Sequence, residues 1–166
     1  MIYALDTNII SYILNGNVSL DEKLNAVIKS KIEIVIPLMV YYEAQRGLLA
    51  NNATNKLEIF NKLCSRLVIN NLTVSDMNTA AKIYAERKST GTMIDDGDLL
   101  IAAQCLTNGY TLITNNIKHF EKIEGLTIEN WIDPFYSESN QAHLSRGIAA
   151  LNSGKGIKHD IIEADE

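Results

Sequence analysis

The chain is poor in the residues that staple, anchor or coat. It has two cysteines in 166 residues, Cys64 and Cys105, each inside an apolar helical pattern. That argues against a disulfide framework and fits a reducing compartment, and without a CxxC or Cys/His cluster no structural zinc is expected. No apolar run approaches the roughly 18 residues that cross a bilayer, and the N-terminus has no basic stretch ahead of a hydrophobic one. A soluble, cytoplasmic protein with no membrane partner is expected. Positive charge is also scarce: 15 Lys and Arg stand against 20 Asp and Glu, for a net −5. Neither side of Pro134 carries a polybasic arm, so a protein that coats nucleic acid by long-range attraction is disfavoured. A local set, Lys23, Lys29, Lys31, Arg46, Arg66, Arg87 and Lys88, still provides cations for holding a substrate. Internal repeats and low-complexity segments are absent.

What remains is apolar and evenly punctuated. With 46% hydrophobic residues, the length suits one domain with a real core plus an appendage. Ile2 to Leu5 reads as a buried strand, followed by a helix from Thr7 that Asn15-Gly16 ends. Leu20 to Lys29 reads as an amphipathic helix and Ile32 to Ile36 as a β-branched strand. Pro37 suits the first turn of a helix running to about Leu49, because its missing N–H would be unsatisfied there in any case. Asn55 to Leu67 and Ser75 to Lys88 predict two more helices around a short strand at Leu67-Val68-Ile69. Asp95 or Asp96 caps an apolar helix over Leu99 to Leu106, closed by Asn108-Gly109. Tyr110 to Thr114 and Leu126 to Ile128 complete the strands. The alternation predicts an α/β fold: a mostly parallel sheet of four to five strands flanked by helices. Beyond residues 1–134, residues 135–166 read as a polar linker and a lone amphipathic helix, about Gln141 to Leu151, with Leu144, Ile148 and Leu151 on one face. Such a helix cannot bury its own apolar stripe and must dock on the domain or on a partner.

The chemistry is expected from carboxylates. Asp6 follows a buried strand, at the sheet end where open α/β folds bind ligands. Glu43, Asp95 and Asp98 lie where other element ends can gather beside it. Carboxylates brought together with few cations between them repel one another unless a positive ion intervenes. Mg2+ takes such oxygen donors, polarises a phosphate oxygen and acidifies water, which is the chemistry of phosphodiester hydrolysis. Asp6 and Asp98 are the expected direct metal ligands, with Glu43 binding metal or orienting water. Each acid also has a plain structural reading. Asp6 is a favoured helix cap, Glu43 a helix residue paired with Arg46 at i+3, and Asp95 with Asp98 a capping-box-like arrangement. A receiver or aspartyl-phosphatase site also uses a strand-end Asp, but Asn8 stands where a second acid is needed.

Four segments in order resemble the PIN-domain ribonucleases, specifically the VapC-type toxins of bacterial toxin–antitoxin pairs. They are Ala4-Leu5-Asp6-Thr7-Asn8-Ile9-Ile10-Ser11, the Glu43 helix ending in Arg46-Gly47, Gly91 to Ala103 with Asp95-Asp96-Gly97-Asp98, and Leu112 to Phe120 with Thr114-Asn115-Asn116. The resemblance covers residues 1 to 134. It implies a magnesium- or manganese-dependent endoribonuclease cutting structured RNA, transfer or ribosomal RNA, and a homodimer that pairs with an antitoxin. It places Asp6, Glu43, Asp98 and Asn116 in the catalytic set. Asn116 stands where many relatives have a fourth acid, which favours one metal over two. Asp95 is assigned outer-shell charge, Thr7 and Thr114 hydroxyl contacts to the ligand shell, and His119 a structural imidazole or a substrate contact.

The tail is similar to the toxin-binding end of Phd/YefM-type antitoxins, through His143-Leu144, Ile148 to Gly156 and Ile161-Ile162-Glu163. That likeness implies a toxin joined to its own neutralising segment, acting in cis or swapped between copies. Arg146 is the expected inhibitory contact to the carboxylates and Lys155 the second. The alternatives are an extra helix that merely covers apolar surface, and a non-catalytic or permanently neutralised interaction module.

Overall fold

The computed structural model describes residues 1–132 together with Arg146, Ile148, Ala149, Asn152 and Ser153. The expected linker and Lys155 lie outside the described residues, as does most of the expected tail helix. Arg146, Ile148 and Ala149 are helical and exposed, with Ile148 of the expected apolar stripe 58% exposed.

Five strands form one parallel sheet in the order β3-β2-β1-β4-β5. They are β1 Ile2–Leu5, β2 Glu33–Pro37, β3 Val68–Asn70, β4 Thr111–Ile113 and β5 Thr127–Glu129. The central strands are short apolar runs because helices cover both faces: Ala4, Leu5, Ile34, Val35, Ile36, Leu112 and Ile113 are all buried. Parallel pairing needs crossovers, and the helices α1 Thr7–Leu14, α2 Val18–Lys29, α3 Leu38–Ala50, α4 Thr54–Cys64, α5 Val74–Ser89, α6 Asp96–Asn108 and α7 Ile117–Phe120 supply them. The chain leaves β1 toward β2 and β3, then crosses back to β4 on the other side of β1. The crevice at the carboxyl ends of β1 and β4 is therefore the topological switch point, where open α/β sheets bind ligands.

Local chemistry sets the helix ends. Asp6 caps α1, accepting from Thr7 N at 2.7 Å, and Asn17 caps α2 through Leu20 N at 3.0 Å. Helix α2 thus starts two residues before its expected first turn. Asp95 caps α6, and Gly109 ends it in the left-handed region at φ 67°. Pro37 does not lie inside the first turn of α3 as expected. It is the last residue of β2, paired in register with Asn70, and holds the cap position at φ −54°, ψ 143°. Extended geometry suits proline equally well, so one residue ends the strand and launches the helix.

Two features have no counterpart in the sequence reading. Helix α7 is a single turn, too short for a hydrophobic period, pinned by the fully buried Phe120. A capping box opens α5: the Thr73 hydroxyl accepts from Asp76 N at 3.2 Å while the Asp76 carboxylate accepts from Thr73 N at 2.7 Å. Residues Met1–Trp131 form one compact unit and a second begins at Ile132. Cys64 and Cys105 are free thiols. Among the described residues no helix is long and apolar enough to cross a membrane.

Candidate active site

Asp6 leaves β1 with its N–H still bonded to Ile113 O at 3.0 Å, so its carboxylate emerges between the ends of β1 and β4. It is only 3% exposed. One oxygen, Oδ1, accepts from Thr7 N at 2.7 Å, and the other, Oδ2, accepts from the Thr114 hydroxyl at 2.6 Å and from the Asn8 amide. Thr114 is fully buried and acts as a hub. Its oxygen also accepts from Asn8 Nδ2 at 3.0 Å and from Asn116 N at 2.9 Å, which commits its single hydrogen to Asp6.

Glu43 comes in from α3. The Thr7 hydroxyl donates to its Oε2 at 2.5 Å, so Thr7 links Asp6 through its backbone to Glu43 through its side chain. The expected i+3 partner is not used: the Arg46 guanidinium lies over the Tyr42 ring at 5.2 Å. Of the other cations expected to hold substrate, Lys23 sits 5.2 Å from the Trp131 ring centre and Arg66 donates to Asn25 Oδ1 at 2.8 Å. Arg87 donates to Lys122 O at 3.1 Å.

Asp98 lies in the first turn of α6, and its Oδ2 meets His119 Nδ1 at 2.7 Å. Asp95 is exposed and serves as the α6 cap, accepting from Gly97 N at 3.0 Å, so the capping reading holds for it. Asn116 begins α7 and contributes its backbone N–H to the Thr114 hub, while its side chain makes no cap hydrogen bond.

The electrostatics follow from this layout. Burial pushes the Asp6 carboxyl up from 3.8 to about 6; the hydrogen bonds from Thr114 and Thr7 oppose the rise, and the charges of Asp98 and Glu43 add to it. Those two acids therefore lie near enough to Asp6 for their charges to act on it. Three carboxylates are hard oxygen donors, the set that Mg2+ or Mn2+ takes. With Glu43 turned to Thr7 and Asp98 to His119, no three acidic, His or Cys side chains among the described residues converge on one point as ligands do. The donor set fits in kind.

Sequence reasoning missed three members of this site. Asn8 donates to both Asp6 and Thr114 and accepts from Asn115 N at 3.1 Å. Its only signal was an amide two residues beyond an acid. Asn115 donates to the Tyr12 hydroxyl at 3.2 Å, tying the loop after β4 to α1. Gly97 leaves the space that Glu43 fills: a Cβ there would lie 2.3 Å from Glu43 Oε1 and 3.1 Å from Asp95 Oδ2. A glycine in a helical first turn between two acids was the available hint. Beside Glu43 and Thr7 opens a cavity of about 420 Å³ lined also by Ile10, Ser11, Gly47 and Lys56.

Comparison with known proteins converges on one group. The model of the PIN domain matches residues 3–126. Over 138 residues the chain is 33% identical to Ribonuclease VapC2 of Rickettsia felis, spanning 79% of this chain and 98% of that protein. It is 26% identical to Ribonuclease VapC2 of Haemophilus influenzae over 132 residues, spanning 78% of this chain and 98% of that protein. Among solved structures, a chain of VapBC2 from Rickettsia felis bound to a DNA fragment from their promoter superposes with a TM-score of 0.72 at 34% identity. That match covers 80% of this chain and 100% of the other.

Proposed function

Because the chain belongs to the PIN domain family, we propose that it is an endoribonuclease toxin of the VapC type, with Asp6, Glu43 and Asp98 as its acidic centre. The observation that carries the reading is the Asp6 carboxylate at the switch point, held by Thr114, Thr7 and Asn8, with its pKa raised by burial and, to a lesser degree, by the charges of Asp98 and Glu43. A divalent cation, Mg2+ or Mn2+, supplies when bound the positive charge this cluster lacks and the Lewis acidity that phosphodiester hydrolysis needs. The residues of the chain do the rest. Thr114 and Thr7 fix the direction of Asp6, Thr7 holds Glu43, and Asn116 leaves the site one charge short of a fourth acid, in keeping with a single ion. Asp95 adds negative charge at the start of α6. The substrate class is structured RNA, transfer or ribosomal.

The relatives named ribonucleases and the neighbour solved as VapBC2 support an antitoxin partner. The apolar depression of about 730 Å³ on α3, with Tyr42 and Leu49 more than half exposed, supports a homodimer or a docked partner. The tail beyond Pro134 is proposed as a tethered antitoxin-like segment, with Arg146 and Lys155 as the inhibitory cations. Tethering holds such a segment at an effective concentration of about millimolar if the linker spans the distance. A cytoplasmic location goes with these roles. A second reading is a PIN scaffold that binds without cutting; the amide at Asn116 and the separately engaged carboxylates favour it.

The test is RNA cleavage by the full chain and by a chain ending at Pro134, each with Mg2+ and with EDTA. Magnesium-dependent cutting that rises on removal of the tail supports the toxin and its inhibition; no cutting by either form favours the scaffold.

Gly97→Ala probes Glu43 without unfolding the protein. Alanine in the first turn of α6 improves helix propensity by up to about 1 kcal/mol, yet its Cβ drives the Glu43 carboxylate away. The expected result is an unchanged or higher melting temperature with cleavage reduced by about tenfold or more, the size of a lost positioning contact. Full activity at wild-type stability would remove Glu43 from the centre.

A further inference from the structure

The segment from Thr114 to Phe120 touches two of the three acids. At its start the Thr114 hydroxyl donates to Asp6 Oδ2 at 2.6 Å; five residues later His119 Nδ1 meets Asp98 Oδ2 at 2.7 Å. Asp6 follows β1 and Asp98 opens α6, so these carboxylates belong to elements far apart in sequence. The stretch between the two contacts connects them. It is anchored at both ends: Asn116 N bonds the Thr114 oxygen at 2.9 Å, and Phe120, next to His119, is fully buried.

We propose that His119 is a positioning residue for the acidic centre, engaging one oxygen of Asp98 and leaving the other for a divalent cation shared with Asp6. The proposal rests on the metal-dependent reading of the site. Asp98 Oδ1 has no hydrogen bond among the described residues, so the His119 contact occupies one oxygen and leaves the other for an ion. The imidazole needs only an Nδ1–H for this, which the imidazolium and one neutral tautomer both have. A carboxylate on the first turn of a helix has several staggered rotamers open to it. A ligand held to one of them by a hydrogen-bonded partner loses less freedom when the ion arrives, and removal of such a partner costs about 10–100-fold in metal affinity or activity. Because His119 is itself 54% exposed, its replacement does not open the core.

The measurement is Mn2+ binding to the full-length protein, by electron paramagnetic resonance of the free ion, with melting temperature as a folding control. His119→Ala is expected to weaken binding about 10–100-fold at an unchanged melting temperature. His119→Asn, whose side-chain amide stands near the place of Nδ1, is expected to recover most of the loss. In an Asp98→Asn background His119→Ala should add less than about twofold, since the contact it serves is gone. Wild-type affinity in His119→Ala, no recovery in His119→Asn, or no Mn2+ uptake by the wild-type chain would each overturn the proposal. A wild-type protein that binds Mn2+ through His119 and Asp98 but cuts no RNA would sink the nuclease reading and leave this one standing.

Discussion

Asp6→Asn is expected to abolish RNA cleavage and at the same time make the metal-free protein more stable at neutral pH. The activity loss should exceed the roughly 10–100-fold that removing a supporting partner costs, because Asp6 is the proposed central acid. The stability gain follows from its environment. Asp6 is 3% exposed, and its carboxyl titrates near 6 rather than 3.8. The folded state therefore binds the proton more tightly than the unfolded state. The stability that goes with it is fully present below pH 3.8 and is lost as pH rises from 3.8 to about 6. Above that window the ionised, buried carboxylate costs about 3 kcal/mol, from two pKa units at roughly 1.4 kcal/mol each. Asparagine removes the charge but gives up one acceptor for Thr114 and Asn8, at about 1–2 kcal/mol, so the net gain is roughly 1–2 kcal/mol. Thermal melts of the two proteins in EDTA from pH 3.5 to 8 check this. The melting temperature of Asp6→Asn should pull ahead as pH rises through the window, and Mg2+ should restore the balance by raising only the wild type. A variant that cuts RNA at a tenth of the wild-type rate, or melts lower at pH 7.5, contradicts the assignment.

Thr114→Val should be the most damaging isosteric change in the site. Valine keeps the shape and β-propensity but leaves Asp6 Oδ2 without its donor, and Asn8 Nδ2 and Asn116 N without their shared acceptor, at a position with no exposure. Unsatisfied buried groups cost about 1–3 kcal/mol each. Partial compensation by the remaining bonds brings the expected loss to about 3 kcal/mol, a drop in melting temperature of roughly 6–12 °C for a protein of this size. Thr114→Ser retains the hydroxyl and should recover most of that. If serine and valine melt alike, the hub is a packing site and not a polar one.

Much of this arrangement was legible before any coordinates. Buried parallel strands announce themselves as short β-branched runs, and Asp6 could be placed at a strand end because the apolar run stops directly before it. Gly109 and Asp95 are punctuation whose chemistry is local, so they too could be read. What escaped was decided across the fold. Whether Glu43 pairs with Arg46 on its own helix or with Thr7 from another depends on the packing of α1 against α3, which no spacing within α3 encodes. Helix α7 exists because Phe120 is buried and Asn116 N finds Thr114, and a single turn carries no period of its own. Pro37 was misplaced by one residue because extended and first-turn backbones share nearly the same φ. The Asp98–His119 pair joins residues 21 apart on separate helices, so their composition was visible and their meeting was not.

The bond from Thr114 to Asp6 spans 108 positions of the chain. A ribosome that has translated β1, α3 and even α6 has thus delivered all three acids, yet the hydroxyl that orients the first of them is still unmade. During synthesis the Asp6 site stays unassembled until β4 slots in beside β1, and a product ending before that strand lacks the hydroxyl that orients Asp6.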